Sequence, residues 1–532
     1  MHTILLAAAA AALHAAPTDT LRLYDNLGSH TVPITTASPL AQKWFNQGMR
    51  LTYGFNHAEA IRSFQEALRQ DPTCAMCQWG IAYALGPNIN APMDEASGAA
   101  AWKAAQEAKR LAGGVSPREG AYIGAIQLRY GAEPLADRAQ RDTAYAQAMR
   151  KLADQYPDDQ DAQALAAEAM MDLSPWFYWT RERQPRPMTN EIVRRIEGVL
   201  AKNPAHPGAC HYYIHAVEAV APEKAVPCAE RLAGLMPGAG HLVHMPAHIY
   251  IRVGRFADAV TANEHAVHTD ETFIADQKPS GIYPAGYYPH NYHFLSFAAT
   301  MSGQKQKALA ASKELASKVS PEIAKVALFL QTMIPHHALT QVTFAEWEGV
   351  LTAKAPPADL PVATGLHHYA RGVAFAATRR PNEAKAELDQ VAAALNSIPD
   401  TPEQVDPRRI LDIARHSLAG EMALRSGKAA EAVTHFEAAK DIEDQILYSE
   451  PPLWYYPVRE SLGLAYLAAG RAADAERVYQ EDLKLFPGNV WSLRGLVAAQ
   501  KAQNKTADAA KTEAALKQAA AKSDVTLTAS RF

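Results

Sequence analysis

The chain has 532 residues, 48% of them hydrophobic and 20% charged, with a formal net charge of −4. That length exceeds one compact domain, so the chain must divide or repeat. Charges of both signs are mixed throughout with no basic stripe, which excludes nucleic acid as an expected partner.

The N-terminus carries an apolar run from Ile4 to Leu13, followed by Ala15 and Ala16. This is the length of a secretory apolar region and is too short to cross a bilayer. Residues 1–16 are therefore expected to be a cleavable signal peptide and 17–40 an N-terminal segment. The mature protein is expected to be periplasmic or secreted, with no membrane span.

From Ala41, Trp44, Gly48, Ala60, Phe64, Ala67 and Pro72 stand at positions 4, 8, 20, 24, 27 and 32 of a repeating frame. The frame recurs from Gly240, Pro289, Gly365, Ile413 and Tyr456, and a weaker copy from Val490 reads as a terminal cap. Small residues at positions 8, 20 and 27 let two helices approach, while large residues at 4, 11 and 24 fill the space between units. The pattern resembles the tetratricopeptide repeat, a helix–turn–helix unit of about 34 residues. The resemblance implies an all-α, right-handed superhelical solenoid of stacked antiparallel helix pairs. It divides the chain into an N-terminal helical region over 41–239, an array over 240–520 and a tail over 521–532. It also implies a scaffold holding a protein segment or small ligand in its concave groove.

Cys74 and Cys77 form CAMC, and Cys210 and Cys228 fall in the two helices of one hairpin. Two local disulfides are the plainest reading in an oxidising compartment, with a thiolate metal site at Cys74 and Cys77 as the alternative. Haem attachment is disfavoured because Gln78 follows Cys77. The following segment QWGIAYALGPNINAPM, together with FNHAEAIRSFQEAL, resembles a group of exported bacterial tetratricopeptide proteins, which implies no activity. Asn88 and Asn90 lie in its Pro-flanked loop, where asparagine side chains commonly bond backbone. Residues 174–187, SPWFYWTRERQPRP, form a candidate lid.

Fourteen of the twenty histidines fall between His206 and His368. His241, His244 and His248 occupy positions 2, 5 and 9 of one repeat, and His290 and His293 occupy positions 2 and 5 of the next. The tetratricopeptide resemblance implies that these positions face the groove. Upstream, His211, His215 and Glu218 share one helical face, and a one-residue gap puts both histidines at positions 5 and 9 of their own repeat. Side chains three and four residues apart are helical neighbours, so imidazoles at this spacing can converge on one ion. The expected cofactor is a transition metal, copper, zinc or iron, with Asp270, Glu271 and Asp276 as candidate ring-orienting acceptors. A groove of neutral imidazoles and phenols that binds a ligand, with Tyr283, Tyr287 and Tyr288 lining it, is the competing reading.

His265 and His268 read as a solvated face, and the pairs at 336–337 and 367–368 as flanking positions. The aromatic run at 454–456, like the tyrosines at 283–288 and the segment 174–187, is expected to fold over the groove, with packing against an adjacent helix as the alternative. Phosphate-loop, nucleophile-elbow, HExxH and dinucleotide-binding motifs are absent. Two function classes follow: a binding module, or a metalloprotein whose metal serves storage, delivery or redox catalysis.

Overall fold

The computed structural model describes residues 21–326 and 328–531, so the expected signal peptide lies outside the described residues. Helices make up the described chain, which has two isolated β-bridges and no strand. No described helix is long and apolar enough to cross a membrane. The chain forms two compact units. The first comprises the described residues through Ile249 together with His265–Tyr288, and the second Tyr250–Glu264 together with the residues from Pro289 onward. The chain passes from one to the other inside the repeat that begins at Gly240, not ahead of it.

In the first unit, α1 (Pro39–Tyr53), α2 (His57–Gln70), α3 (Ala75–Ala84), α4 (Glu95–Leu111), α5 (Pro117–Arg129), α6 (Arg138–Gln155), α7 (Gln160–Met171), α8 (Thr189–Lys202), α9 (Pro207–Val217) and α10 (Val226–Leu235) each pack on the next. Ser38 caps α1 by accepting from the Ala41 amide, and Pro39 occupies the first turn, where a missing N–H costs nothing. Helices α1 and α2 are held by a close fit. A Cβ added at Gly48 would lie 2.4 Å from the ring of Phe64, and one at Gly80 on α3 would lie 2.7 Å from it. Phe64 is fully buried between them. Helix α1 also packs against α9, and this long-range contact assembles the site described below. Two short helices follow, α11 (Gly240–His244) and α12 (Pro246–Arg252), then α13 (Phe256–Gln277).

The second unit repeats the device. Its helix pairs are α14 (Tyr288–Met301) with α15 (Lys305–Lys318), α19 (Pro361–Ala377) with α20 (Pro381–Ser397), α21 (Val405–Arg425) with α22 (Ala429–Glu443), α23 (Val458–Ala468) with α24 (Ala472–Leu485), and α25 (Val490–Ala502) with α26 (Thr506–Ala519). The frames from Pro289, Gly365, Ile413, Tyr456 and Val490 each fall on one of these pairs, whereas the frame from Gly240 falls on the short α11 and α12 followed by α13. The array is interrupted after α15 by the short helices α16 (Pro321–Val326), α17 (His336–Thr343) and α18 (Trp347–Thr352). Cβ atoms at Gly463 and Gly495 would each lie 2.2 Å from the Tyr479 ring.

The expected tail is an internal part of the second unit. Asp524 accepts from the amides of Lys305 and Gln306 at the start of α15, at 2.6 and 3.0 Å. Ser530 bonds Tyr479 at 2.7 Å, and Arg531 lies buried 3.8 Å above the Tyr456 ring. Trp454, Tyr455 and Tyr456 are also core residues of this unit rather than a cover, with the hydroxyls of Tyr455 and Tyr369 3.0 Å apart.

Candidate metal centre

Five histidines of the first unit meet at one buried place. His211 and His215 project from α9, His241 and His244 from α11, and His248 from α12. None is more than 3% exposed. The Nε2 atoms of His211 and His215 lie 3.1 Å apart, and Nε2 of His241 lies 3.2 Å from that of His211. Nε2 of His244 and Nε2 of His248 lie 2.9 Å apart.

The opposite ring nitrogens set the tautomers. Nδ1 of His211 donates to the Tyr53 carbonyl at 2.7 Å, an acceptor delivered by the packing of α1 on α9. Nδ1 of His215 and Nδ1 of His248 donate to the two oxygens of Glu218, at 3.3 and 2.7 Å. With these protons on Nδ1, the Nε2 atoms of His211 and His215 present lone pairs to each other across 3.1 Å. At most one proton, on His241, lies among the three converging nitrogens. Burial holds His211, His215 and His241 well below the usual histidine range, and neighbouring imidazoles add to the effect for each. The rings are thus neutral at pH 7, the form that ligates.

Aromatic rings wall this cluster. Phe55 lies 4.4 Å from His211 and 5.6 Å from His241, ring to ring. Its φ of 55° is a left-handed value that a bulky residue seldom adopts, and it turns the ring in toward the imidazoles at the end of α1. Trp176 meets His215 edge-on at 4.9 Å, and Tyr287 lies 4.6 Å from His241. The expected lid segment is thereby a wall, fixed where Trp179 donates to the Ala216 carbonyl of α9 at 2.7 Å. A cavity of about 110 Å³ reaches Phe55 and Tyr287 from the side of Asn88, Met93 and Ile282.

A second group surrounds Asp161. Its Oδ1 accepts from Tyr53 at 2.6 Å and from His30 at 2.9 Å, with Nε2 of His206 at 3.3 Å. The hydrogen bonds from His206 and His30 outweigh burial and hold the carboxyl below its ordinary value. Nδ1 of His206 accepts the Ala209 amide, which leaves the proton on Nε2. This group anchors Tyr53, and its ligand atoms also lie within 4.8 Å of one another.

Several sequence assignments change. Glu218, expected as a ligand, accepts from two imidazoles, and its carboxylate lies within ligand distance of both His215 and His248. Of the expected orienting carboxylates, Asp270 accepts from Tyr283 at 2.8 Å, Glu271 from Tyr288 at 3.0 Å, and Asp276 pairs with Arg22 at 2.6 Å. Two of the three groove phenols are therefore committed to carboxylates, while Tyr287 accepts from Asn90 at 3.3 Å. Asn88 caps its own loop by accepting from the amides of Asn90 and Ala91. His290 and His293, also expected as ligands, are carried by α14, where His293 packs on His336 with ring centres 4.8 Å apart. Cys74 and Cys77 are joined by a disulfide at the start of α3. Cys210 and Cys228 are buried free thiols, not a disulfide, and a hydrogen bond between them together with burial raises the Cys210 pKa. Sequence reasoning missed Tyr53 and Phe55, for which the chain offers no motif.

The chain has the fold of tetratricopeptide-repeat proteins. No family model matches the sequence, and no curated protein does. Among solved structures, it is similar to the human IFIT1 dimer with m7Gppp-AAAA at 13% identity, covering 92% of each chain with a TM-score of 0.31. The Cut9–Hcn1 hetero-tetramer of the APC/C matches at 14% identity over 90% of this chain and 87% of that one, with a TM-score of 0.26. These likenesses say nothing about what this chain binds.

Proposed function

We propose that this is an exported metal-binding protein whose first unit holds a transition-metal ion on Nε2 of His211, His215 and His241. The carrying observation is the close approach of the His211 and His215 Nε2 atoms, 3.1 Å apart with their ring protons committed on the far side. Two lone pairs facing each other in a buried place repel unless a cation lies between them. The spacing suits one: metal–nitrogen bonds of about 2.0–2.1 Å in a tetrahedral site put ligand nitrogens roughly 3.3 Å apart. Three neutral imidazoles favour zinc, copper or iron over magnesium or calcium, which prefer oxygen. Three protein ligands also leave a coordination position open, the arrangement of reactive rather than purely structural sites. The small cavity ending at Phe55 and Tyr287 is the route by which a ligand would approach. Export rests on the apolar run from Ile4 to Leu13 and on the Cys74–Cys77 bridge, which suits an oxidising compartment.

The test is metal content by mass spectrometry on untagged protein, beside a His211/His215/His241→Ala variant checked for helicity by circular dichroism. Near-stoichiometric metal lost in a folded variant is the expected result. Protein that stays free of metal after incubation with zinc, copper and iron overturns the reading.

A further inference from the structure

The metal reading uses three of the five clustered imidazoles. His244 and His248 remain, and their placement is not incidental to the fold. His211 and His215 are four residues apart, His244 and His248 are four residues apart, and the two pairs are offset by thirty-three residues. That offset is one tetratricopeptide repeat with the one-residue gap noted in the sequence. The pairs are therefore the same half-site presented by successive helix pairs, on α9 and on α11 with α12.

Glu218 treats the two pairs alike. It lies at the end of α9, and each of its oxygens accepts the Nδ1 proton of one histidine from each pair, His215 and His248. Like His215, then, His248 turns its Nε2 lone pair away from the carboxylate. There it meets Nε2 of His244 at 2.9 Å. Both residues are at most 1% exposed. Five imidazoles exceed what one tetrahedral ion accepts.

We infer that the cluster is built for two transition-metal ions, one on His211, His215 and His241 and a second on His244 and His248, with Glu218 fixing both pairs from behind. This rests on the metal-binding reading above. Small oxygen donors such as hydroxide can complete the coordination of either ion. Such anions also offset the charge that the single Glu218 carboxylate leaves uncompensated.

Equilibrium dialysis of untagged, metal-free full-length protein against zinc counts the ions, and the same protein loaded with copper(II) reports their proximity by electron paramagnetic resonance. Two equivalents of zinc are expected for the unsubstituted protein and one for His244→Ala/His248→Ala. Copper at two equivalents should show dipolar broadening and a half-field transition that are absent at one equivalent. This second measurement needs no variant, so a misfolded double variant does not blunt the test. One equivalent in the unsubstituted protein overturns the two-ion inference and leaves the single-ion reading standing, with His244 and His248 a simple N–H···N pair. Two equivalents without dipolar coupling also overturn it, because the second ion then lies elsewhere. No bound metal sinks both readings.

Discussion

The two units are built by the same rule and filled in opposite ways. In the first, Phe64 locks Gly48 and Gly80; in the second, Tyr479 locks Gly463 and Gly495. The interior of the second unit is then packed with its own chain: Trp454 meets Tyr369 ring to ring at 5.1 Å, and Arg531 reaches over Tyr456. The corresponding place in the first unit holds imidazoles whose lone pairs face one another. The repeat thus specifies how helices approach and leaves the lining free, so a scaffold and a site differ only in residues the packing does not dictate.

If the lock is common to both units, removing it should cost each the same. Phe64→Ala and Phe436→Ala, at the same repeat position and both fully buried, are each expected to lose about 3–5 kcal/mol. Differential scanning calorimetry should show each variant lowering a different transition, and a single shared transition would mean that the units do not unfold separately. The contrast in lining is tested next. Glu218→Gln should weaken metal binding by about 10–100-fold, or roughly 1.4–2.8 kcal/mol, because one oriented acceptor is lost while every proposed ligand remains. His293→Ala in the second unit should leave metal affinity unchanged, and competition with a chromophoric chelator measures both.

Per pH unit, the smallest expected effect is again common to both units. Burial is the main reason that His57 in the first unit is lowered to about 4 and His293 in the second to about 3. Unfolded histidine titrates near 6.5, so the unfolded chain takes up these protons first as pH falls. The stabilisation is fully present above pH 6.5 and drains away toward pH 4 for His57 and pH 3 for His293, by at most about 1.4 kcal/mol per pH unit for each group. Both calorimetric transitions should therefore move down together on acidification of metal-free protein. A transition that held its temperature would show that its histidine is already charged in the fold.

The fold was legible because its signal is local and periodic. Gly and an aromatic sixteen residues apart recur as Gly48 with Phe64, Gly420 with Phe436 and Gly463 with Tyr479, and each pair closes one helix hairpin. The histidines of the first unit were legible for the same reason, as i and i+4 neighbours on one face. Their supports were not. The Tyr53 carbonyl is a main-chain atom with no signature, and Phe55 depends on a backbone conformation its residue type disfavours. Glu218 shares a helical face with His211 and His215, which suggests a ligand; its reach across to His248 appears only once α12 is in place. Cys210 and Cys228 lie near each other without bridging, a distinction that spacing alone does not draw.

The bond from His211 to the Tyr53 carbonyl spans 158 residues of chain. At synthesis rates of about 5–20 residues per second, roughly 8–30 s separate the emergence of its two partners. Over that interval α1, α2 and Phe64 are already synthesised, while the ring that leans on Tyr53 does not yet exist. A nascent or truncated chain ending before α9 consequently carries the sequence of the first hairpin and none of the five clustered imidazoles. On the metal-binding proposal, acquisition of an ion would report that the first unit is complete.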